Sequence, residues 1–540
     1  MNKLLISFFA VTMAVDVFAD NPPVTPAWAF RHVVWEDSLN TTKGAVGIVD
    51  GYLAHNIPVG AVIIDSPWST SYNDFNWDLQ RYPDPQKMIG YFKEKDVKVL
   101  LWLAGAVNHK CKDTALDKGD TYDEAVAKNY GINQSRPGTW WKGEGIHIDF
   151  TNPEAKEWWY KQLDKVFVDG VYGWKVDQGE YWFGDTVETS IGKMSNAEFR
   201  PYYYDAMYDY TVKNNPAGVI IARPYSHQGG FAASIGKLNM GWCGDFSGDW
   251  EGLKQQIDNI YNSAIRGYGS LACEVGGFYQ KRSTKTQLIR YAQFGCMTAT
   301  MINGGENGAF SNHLPWYHDG ETEDIYRNCV ILHEELVPYL FSSSVDANLQ
   351  GGSLLKDVNL DEESHRLGAS LFTKAITKDN GNVEYRLPSD GEWIDFWSGE
   401  KFQGGALINR EYPMDRFPLF VKSGSVIPVE VAENSFWCGD KPEYTGTRTF
   451  IIYPSDNVAD KLHLPKGDGV EYDDYTVSFN SKTGKLTVNC PKSEKINVIV
   501  KGLGGVRKVN NVKSWNCNSH NGDLALVAEG SDIDVDIIKD

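Results

Sequence analysis

The chain has 540 residues, 42% hydrophobic and 23% charged, a composition that suits a globular protein of two to four domains. Its formal net charge of −19 excludes nucleic acid and anionic membrane surfaces as natural partners, because both would repel it. Aromatic side chains are abundant, and their flat faces either fill large cores or stack on the apolar faces of sugar rings.

Residues 1–19, MNKLLISFFAVTMAVDVFA, have the form of an export signal peptide: Lys3, then an apolar core from Leu4 to Val15, then the cleavage site Val17-Phe18-Ala19. The core is too short to span a bilayer. The mature chain is expected to begin near Asp20 and to reach the outside, a periplasm or a lysosome-like or vacuole-like compartment. Eight cysteines (111, 243, 273, 296, 329, 438, 490 and 517) lack tight pair spacing, so disulfides are open and their pairing is unreadable. No CxxC or HxxxH pair points to a metal, and no cofactor is expected. Asn40 and Asn133 open sequons that would carry glycans in a eukaryotic host.

From residue 20 to 344, short apolar strands alternate with segments of helical length. HVVWED, GAVIIDSPW, VKVLLWLAG, GWKVDQGE, GVIIARPY, LNMGWCGD, GSLACEVGGF and MTATMINGG read as eight strands, and the stretches between several of them are amphipathic. Eight such units predict a closed parallel (β/α)8 TIM barrel. Asp65, Asp177, Arg223, Asp245 and Glu274 each fall at or just beyond a strand's C-terminal end, the face on which barrel enzymes build their sites. Residues 345–435 and 436–540 change to short alternating strands with turn residues, predicting two C-terminal antiparallel β-sandwich domains.

The strand ends carry the chemistry. In GWKVDQGE, Lys175 and Asp177 are two apart and share a face, so a cation is expected to keep Asp177 ionised. In MGWCGDFSGDWEGL, Trp242 and Phe246 flank Asp245 and would raise its pKa, as a general acid requires. Asp249, rather than Asp245, is the better cap for the helix that follows. Two carboxyls in unlike environments suit glycosidic bond cleavage.

Here the sequence resembles glycoside hydrolase family 31, the retaining α-glycosidases and their relatives. The match runs from about Trp35 to Val429, with IPVGAVIIDSPW, IDFTNPEAKEWW, GWKVDQGE, IIARPYSHQG, GWCGDFSGDWEGL, ACEVGGF, EWIDFWSGEKFQGG and RFPLFVKSGSVIPV in order. The resemblance implies Asp177 as nucleophile and Asp245 as acid/base. It also implies substrate contacts from Asp65, Trp68, Trp141, Lys175, Arg223 and Trp242, with Trp141 an aromatic wall. Lys175 and Glu180 place the chain nearer the KxDxGE branch, similar to α-xylosidases and α-galactosidases.

Three departures bear on specificity. The barrel is expected to start within a few residues of the signal peptide, without the family's N-terminal β domain. Glu274 stands where Asp is usual. Ile302 and Gly304 replace an Arg and a sugar-contacting His, leaving Glu306, Asn307 or His313 to read hydroxyls. The sequence therefore predicts a retaining exo-α-glycosidase with its two carboxyls about 5–5.5 Å apart. An oligosaccharide or glycoconjugate is its expected substrate, α-galactoside slightly ahead of α-glucoside and α-xyloside. The alternatives are a non-catalytic carbohydrate-binding protein on the same scaffold, or a transglycosylase or lyase.

Overall fold

The computed structural model describes residues 21–539 apart from 39, 228, 280–281, 306–313, 433–434 and 440–441. The expected signal peptide lies outside the described residues, as do Glu306, Asn307 and His313.

Eight short strands form a closed parallel barrel: β1 (Val33–Glu36), β2 (Ala61–Ile64), β3 (Lys98–Leu103), β4 (Gly173–Val176), β5 (Val219–Ala222), β6 (Met240–Trp242), β7 (Leu271–Val275) and β8 (Thr300–Asn303). They are the eight strands expected. Strands β2 (Ala-Val-Ile-Ile) and β5 (Val-Ile-Ile-Ala) are buried along their whole length, because one face packs inside the barrel and the other under the helices. β8 closes on β1 with Val33 opposite Ile302 and Val34 opposite Asn303.

Helices α1 (Thr42–Ala54), α2 (Pro85–Glu94), α3 (Pro153–Phe167), α4 (Asn196–Asn214), α5 (Trp250–Arg266) and α6 (Lys285–Gly295) pack outside. Their starts are written in the sequence. Asp84 and Asn152 cap α2 and α3, each followed by Pro at the first helical position. Asp249 caps α5 by accepting the Gly252 N–H at 3.1 Å, which leaves Asp245 free for other work.

The sequence did not disclose a three-stranded flap after β3. Ala106–Cys111 pairs with Gly143–His147, which pairs with Gly138–Trp140, all antiparallel. These strands are short and glycine-rich, because backbones meet closely there: a Cβ on Gly145 would lie 2.2 Å from the Val107 carbonyl oxygen. The flap carries Trp141 and Lys142 over the barrel mouth.

Two more helices, α7 (Gly320–Glu335) and α8 (Val337–Gln350), lead out of the barrel, α8 running past residue 344. Next comes a six-stranded antiparallel sheet from Leu355–Asn359 to Leu419–Lys422. The distal eight-stranded sheet begins with Ser425–Glu430, ahead of the expected division at 435/436. It contains one parallel pair, Arg448–Tyr453 beside Lys485–Val500. Trp393 and Trp437 are buried in the packing of these sheets, and Trp397 Nε1 donates to the Phe417 carbonyl at 2.7 Å. Trp393 and Trp437 therefore serve as core, Trp397 packs partly buried against it, and one continuous core joins the barrel to the proximal sheet.

None of the eight cysteines is joined in a disulfide. The Asn40 sequon is not an acceptor in this fold, because its amide is buried and donates to the carbonyls of Asp37 and Ser66, each at 2.6 Å. Among the described residues no helix is long and apolar enough to cross a membrane.

Candidate active site

A cavity of about 520 Å³ opens at the C-terminal end of the barrel. Of the sequence-derived residues, Asp65, Trp141, Lys175, Asp177, Arg223 and Asp245 line it. So do Trp35, Asp37, Trp102, Trp182 and Phe278, which sequence reasoning had not singled out. Trp102 was legible in principle: it stands in register with Lys175 across β3 and β4, so it shares the barrel level of the site.

Asp177 follows β4 directly, and its N–H donates to the Leu103 carbonyl at 2.8 Å, extending the ladder by one residue. Its carboxylate is held on both oxygens. Oδ1 accepts from Arg223 Nη2 at 3.1 Å, Arg223 Nε at 3.3 Å and the Gln178 N–H at 2.7 Å. Oδ2 accepts from Trp102 Nε1 at 3.1 Å. The expected cation beside Asp177 is thus Arg223. Lys175 instead pairs with Asp65, Nζ to Oδ2 at 3.0 Å, under the rings of Trp35 at 3.4 Å and Trp242 at 4.5 Å. Burial opposes the charge of Lys175, but Asp65 and the surrounding carboxylates outweigh it and hold its pKa above the ordinary lysine value.

Arg223 follows β5 and is buried, with its guanidinium 4.1 Å from the centre of the Trp242 ring. Its Nη2 also donates to Asp245 Oδ2 at 3.2 Å, so one nitrogen bridges both acids. Both acids line the cavity, but the Asp245 side chain is a quarter exposed (26%) and that of Asp177 only 12%. Burial is the largest influence on it and raises its pKa; Arg223 pulls the other way, and the negative Asp177 adds to the rise. The two acids sit in unlike settings: Asp177 is hydrogen-bonded on both oxygens, and Asp245 is biased toward holding a proton.

Trp68 and Trp242 fall outside the cavity lining, contrary to a direct substrate role. Trp68 is buried and its Nε1 donates to the Trp102 carbonyl at 2.8 Å. Trp242 lies beneath the site as the surface on which Lys175 and Arg223 rest. Glu274 also lies outside the lining. It is buried, and neither carboxyl oxygen has a hydrogen-bond partner among the described residues.

Burial, reinforced by the Asp245 charge, pushes the Glu274 pKa up to about 8 against the pull of Lys175. A free glutamate titrates near 4.5, so between these values the folded chain holds a proton that the unfolded chain has released. Stability therefore falls as pH rises through that window, by up to ~1.4 kcal/mol per pH unit. Glu274→Gln should flatten the slope of melting temperature between pH 5 and 7.5. An unchanged slope would show that Glu274 is ionised in the fold.

Comparison with known proteins fits this geometry. The model of the glycosyl hydrolases family 31 TIM-barrel domain matches residues 22–343, and that of the family's C-terminal domain matches 355–427. An Alpha-xylosidase of Emericella nidulans is 23% identical over 76% of this chain and 54% of its own length. Alpha-glucosidase 2 of Bacillus thermoamyloliquefaciens is 22% identical over 85% of this chain and 62% of its own. An Isomaltosyltransferase of Sporosarcina globispora is 24% identical over 76% and 41%. The chain spans about half the length of the curated relatives it matches. A Flavobacterium johnsoniae dextranase structure complexed with glucose superposes with a TM-score of 0.83, covering 96% of this chain and 71% of that one at 18% identity. With the barrel model spanning more than half of the residues and the proximal-sheet model following it in order, the chain belongs to glycoside hydrolase family 31.

Proposed function

We propose that the protein is a retaining exo-α-glycosidase. The observation that carries this reading is the single Arg223 nitrogen within hydrogen-bond reach of both acids. Its two contacts together bound the nearest Asp177 and Asp245 oxygens to at most about 6.3 Å, compatible with the ~5–5.5 Å of retaining enzymes and short of the ~6.5–9.5 Å of inverting ones. Asp177 attacks the anomeric carbon from the face opposite the glycosidic oxygen. The C1–O bond breaks as Asp245 gives its proton to the departing oxygen. Asp245 then takes a proton from water, which attacks C1 and frees Asp177 with net retention.

A binding-only role has little to support it, since it needs neither a carboxylate clamped on both oxygens nor a second acid with a raised pKa. The relatives are named for xylosidase, glucosidase and isomaltosyltransferase activity, which favours α-glucoside or α-xyloside over α-galactoside here. The test is hydrolysis of nitrophenyl α-glucoside, α-xyloside and α-galactoside followed by NMR. Initial release of the α-anomer supports the reading, and initial release of the β-anomer contradicts it.

Transfer to a second sugar is favoured by one feature. Trp182 is 45% exposed in the cavity and its ring centre lies 6.1 Å from that of Trp141, making an aromatic wall suited to a leaving-group or acceptor sugar. Trp182→Ala should lower kcat/KM for a disaccharide about tenfold, the effect of ~1.4 kcal/mol of lost stacking. Hydrolysis of the matching glycosyl fluoride, which has no second ring, should fall far less. Equal losses on both would remove Trp182 from that wall.

A further inference from the structure

Strand β1 delivers two residues to the barrel mouth, Trp35 within it and Asp37 just beyond, on one face because they are two apart. Trp35 stacks on Phe278 with ring centres 5.5 Å apart and planes 12° off parallel, and covers the Lys175 ammonium. It fits there because Gly304, past the end of β8, has no side chain: a Cβ at that position would sit 2.0 Å from Trp35 Nε1. β8 thus leaves its place at the mouth to β1. Asp37 is tied to the same seam, its N–H donating to the Gly305 carbonyl at 3.1 Å.

Five carboxyls among the described residues line the cavity, and four are engaged with a cation: Asp65 with Lys175, Asp113 with Lys142, and both Asp177 and Asp245 with Arg223. The carboxyl of Asp37 is the exception, with no hydrogen bond or ion pair among the described residues. It is half-buried, faces the cavity and stands near Asp65. Burial and the Asp65 charge push its pKa up to about 8 against Lys142 and Lys175, so near neutral pH it can both donate and accept.

We propose that Asp37 is a specificity-determining residue whose carboxyl hydrogen-bonds one hydroxyl group of the bound sugar. The substrate class this fits is a neutral α-pyranoside carrying that hydroxyl. A uronate or sulfonate sugar with its anion at that point would face Asp37 and Asp65, while the described cations of the cavity, Arg81, Lys142, Lys175 and Arg223, are each paired with a carboxylate. The inference rests on the glycosidase reading and adds the residue that selects the sugar. A site built to bind a hydroxyl discriminates strongly against the analogue lacking it, because its own polar group is then left unpaired.

The test is a cycle between enzyme and substrate. Wild type, Asp37→Ala and Asp37→Asn are assayed on whichever of nitrophenyl α-glucoside and α-xyloside the wild type cleaves faster, and on its monodeoxy derivatives. One deoxy sugar should cost the wild type roughly 10–100-fold in kcat/KM. Asp37→Ala should lose a similar factor on the parent sugar and almost nothing further on that deoxy compound, with Asp37→Asn in between. A thermal melt of each variant close to that of wild type confirms folding. Wild-type rates in Asp37→Ala, or an equal loss on every deoxy sugar, would overturn the assignment while leaving the glycosidase reading intact. A wild type inert on every glycoside would overturn both.

Discussion

Alanine at Asp177 should abolish turnover, with kcat falling roughly 10⁴-fold or more, since loss of a covalent catalyst leaves only binding and the remaining electrostatics. The four hydrogen bonds that converge on this carboxylate make the expectation specific. They fix both oxygens, and Arg223 places its positive charge against the group in a mostly buried position. The vacancy left by alanine is open to a small external nucleophile. Azide should restore cleavage of an activated aryl α-glycoside and yield the β-glycosyl azide, because it attacks from the face Asp177 used. Near-normal hydrolysis by the alanine variant would end the assignment of Asp177 as nucleophile.

Asp245→Ala should lose about 10²–10⁴-fold on substrates whose leaving oxygen needs a proton. It should keep a much larger share of the first step on glycosyl fluorides and dinitrophenyl glycosides, whose leaving groups depart unassisted. The variant should also lose the alkaline limb of the pH–rate profile, because that limb reports the acid whose pKa is raised by burial and by the Asp177 charge. Losses of the same size for good and poor leaving groups would move the proton-donor role elsewhere. The two variants separate cleanly: one removes bond formation at C1, the other removes protonation of the departing oxygen.

Much of this was legible in the sequence because strand ends announce themselves. Val-Ile-Ile runs closing on Asp65 and Arg223, and Gly-Trp-Lys-Val closing on Asp177, marked the strands, their direction and the functional face together. Asp249 was recognisable as a cap, which released Asp245 for chemistry. What escaped depended on contacts between distant segments. That Arg223, and not Lys175, neutralises Asp177 follows from the placing of β4 beside β5 around the barrel, whereas Lys175 reaches across to β2. Trp68 and Trp242 carry the same local signature as cavity aromatics, and only packing shows that they support the site from outside its lining. The flap bearing Trp141 was hidden because its strands are short and glycine-rich. Asp37 carries the same strand-end signature, closing HVVWED, but that no described cation pairs with it and that β8 leaves the space above Gly304 to Trp35 depend on contacts between distant segments.

The most direct measurement of the central claim is to trap the enzyme on its substrate. The protein is incubated with a 5-fluoro or 2-deoxy-2-fluoro glycosyl fluoride of a sugar it hydrolyses, then digested and analysed by mass spectrometry. A fluorosugar ester on the peptide carrying Asp177, slowly released on adding fresh acceptor, is the expected result. A label on any other side chain, or steady turnover through the opposite anomer with no adduct, would contradict a covalent mechanism at Asp177.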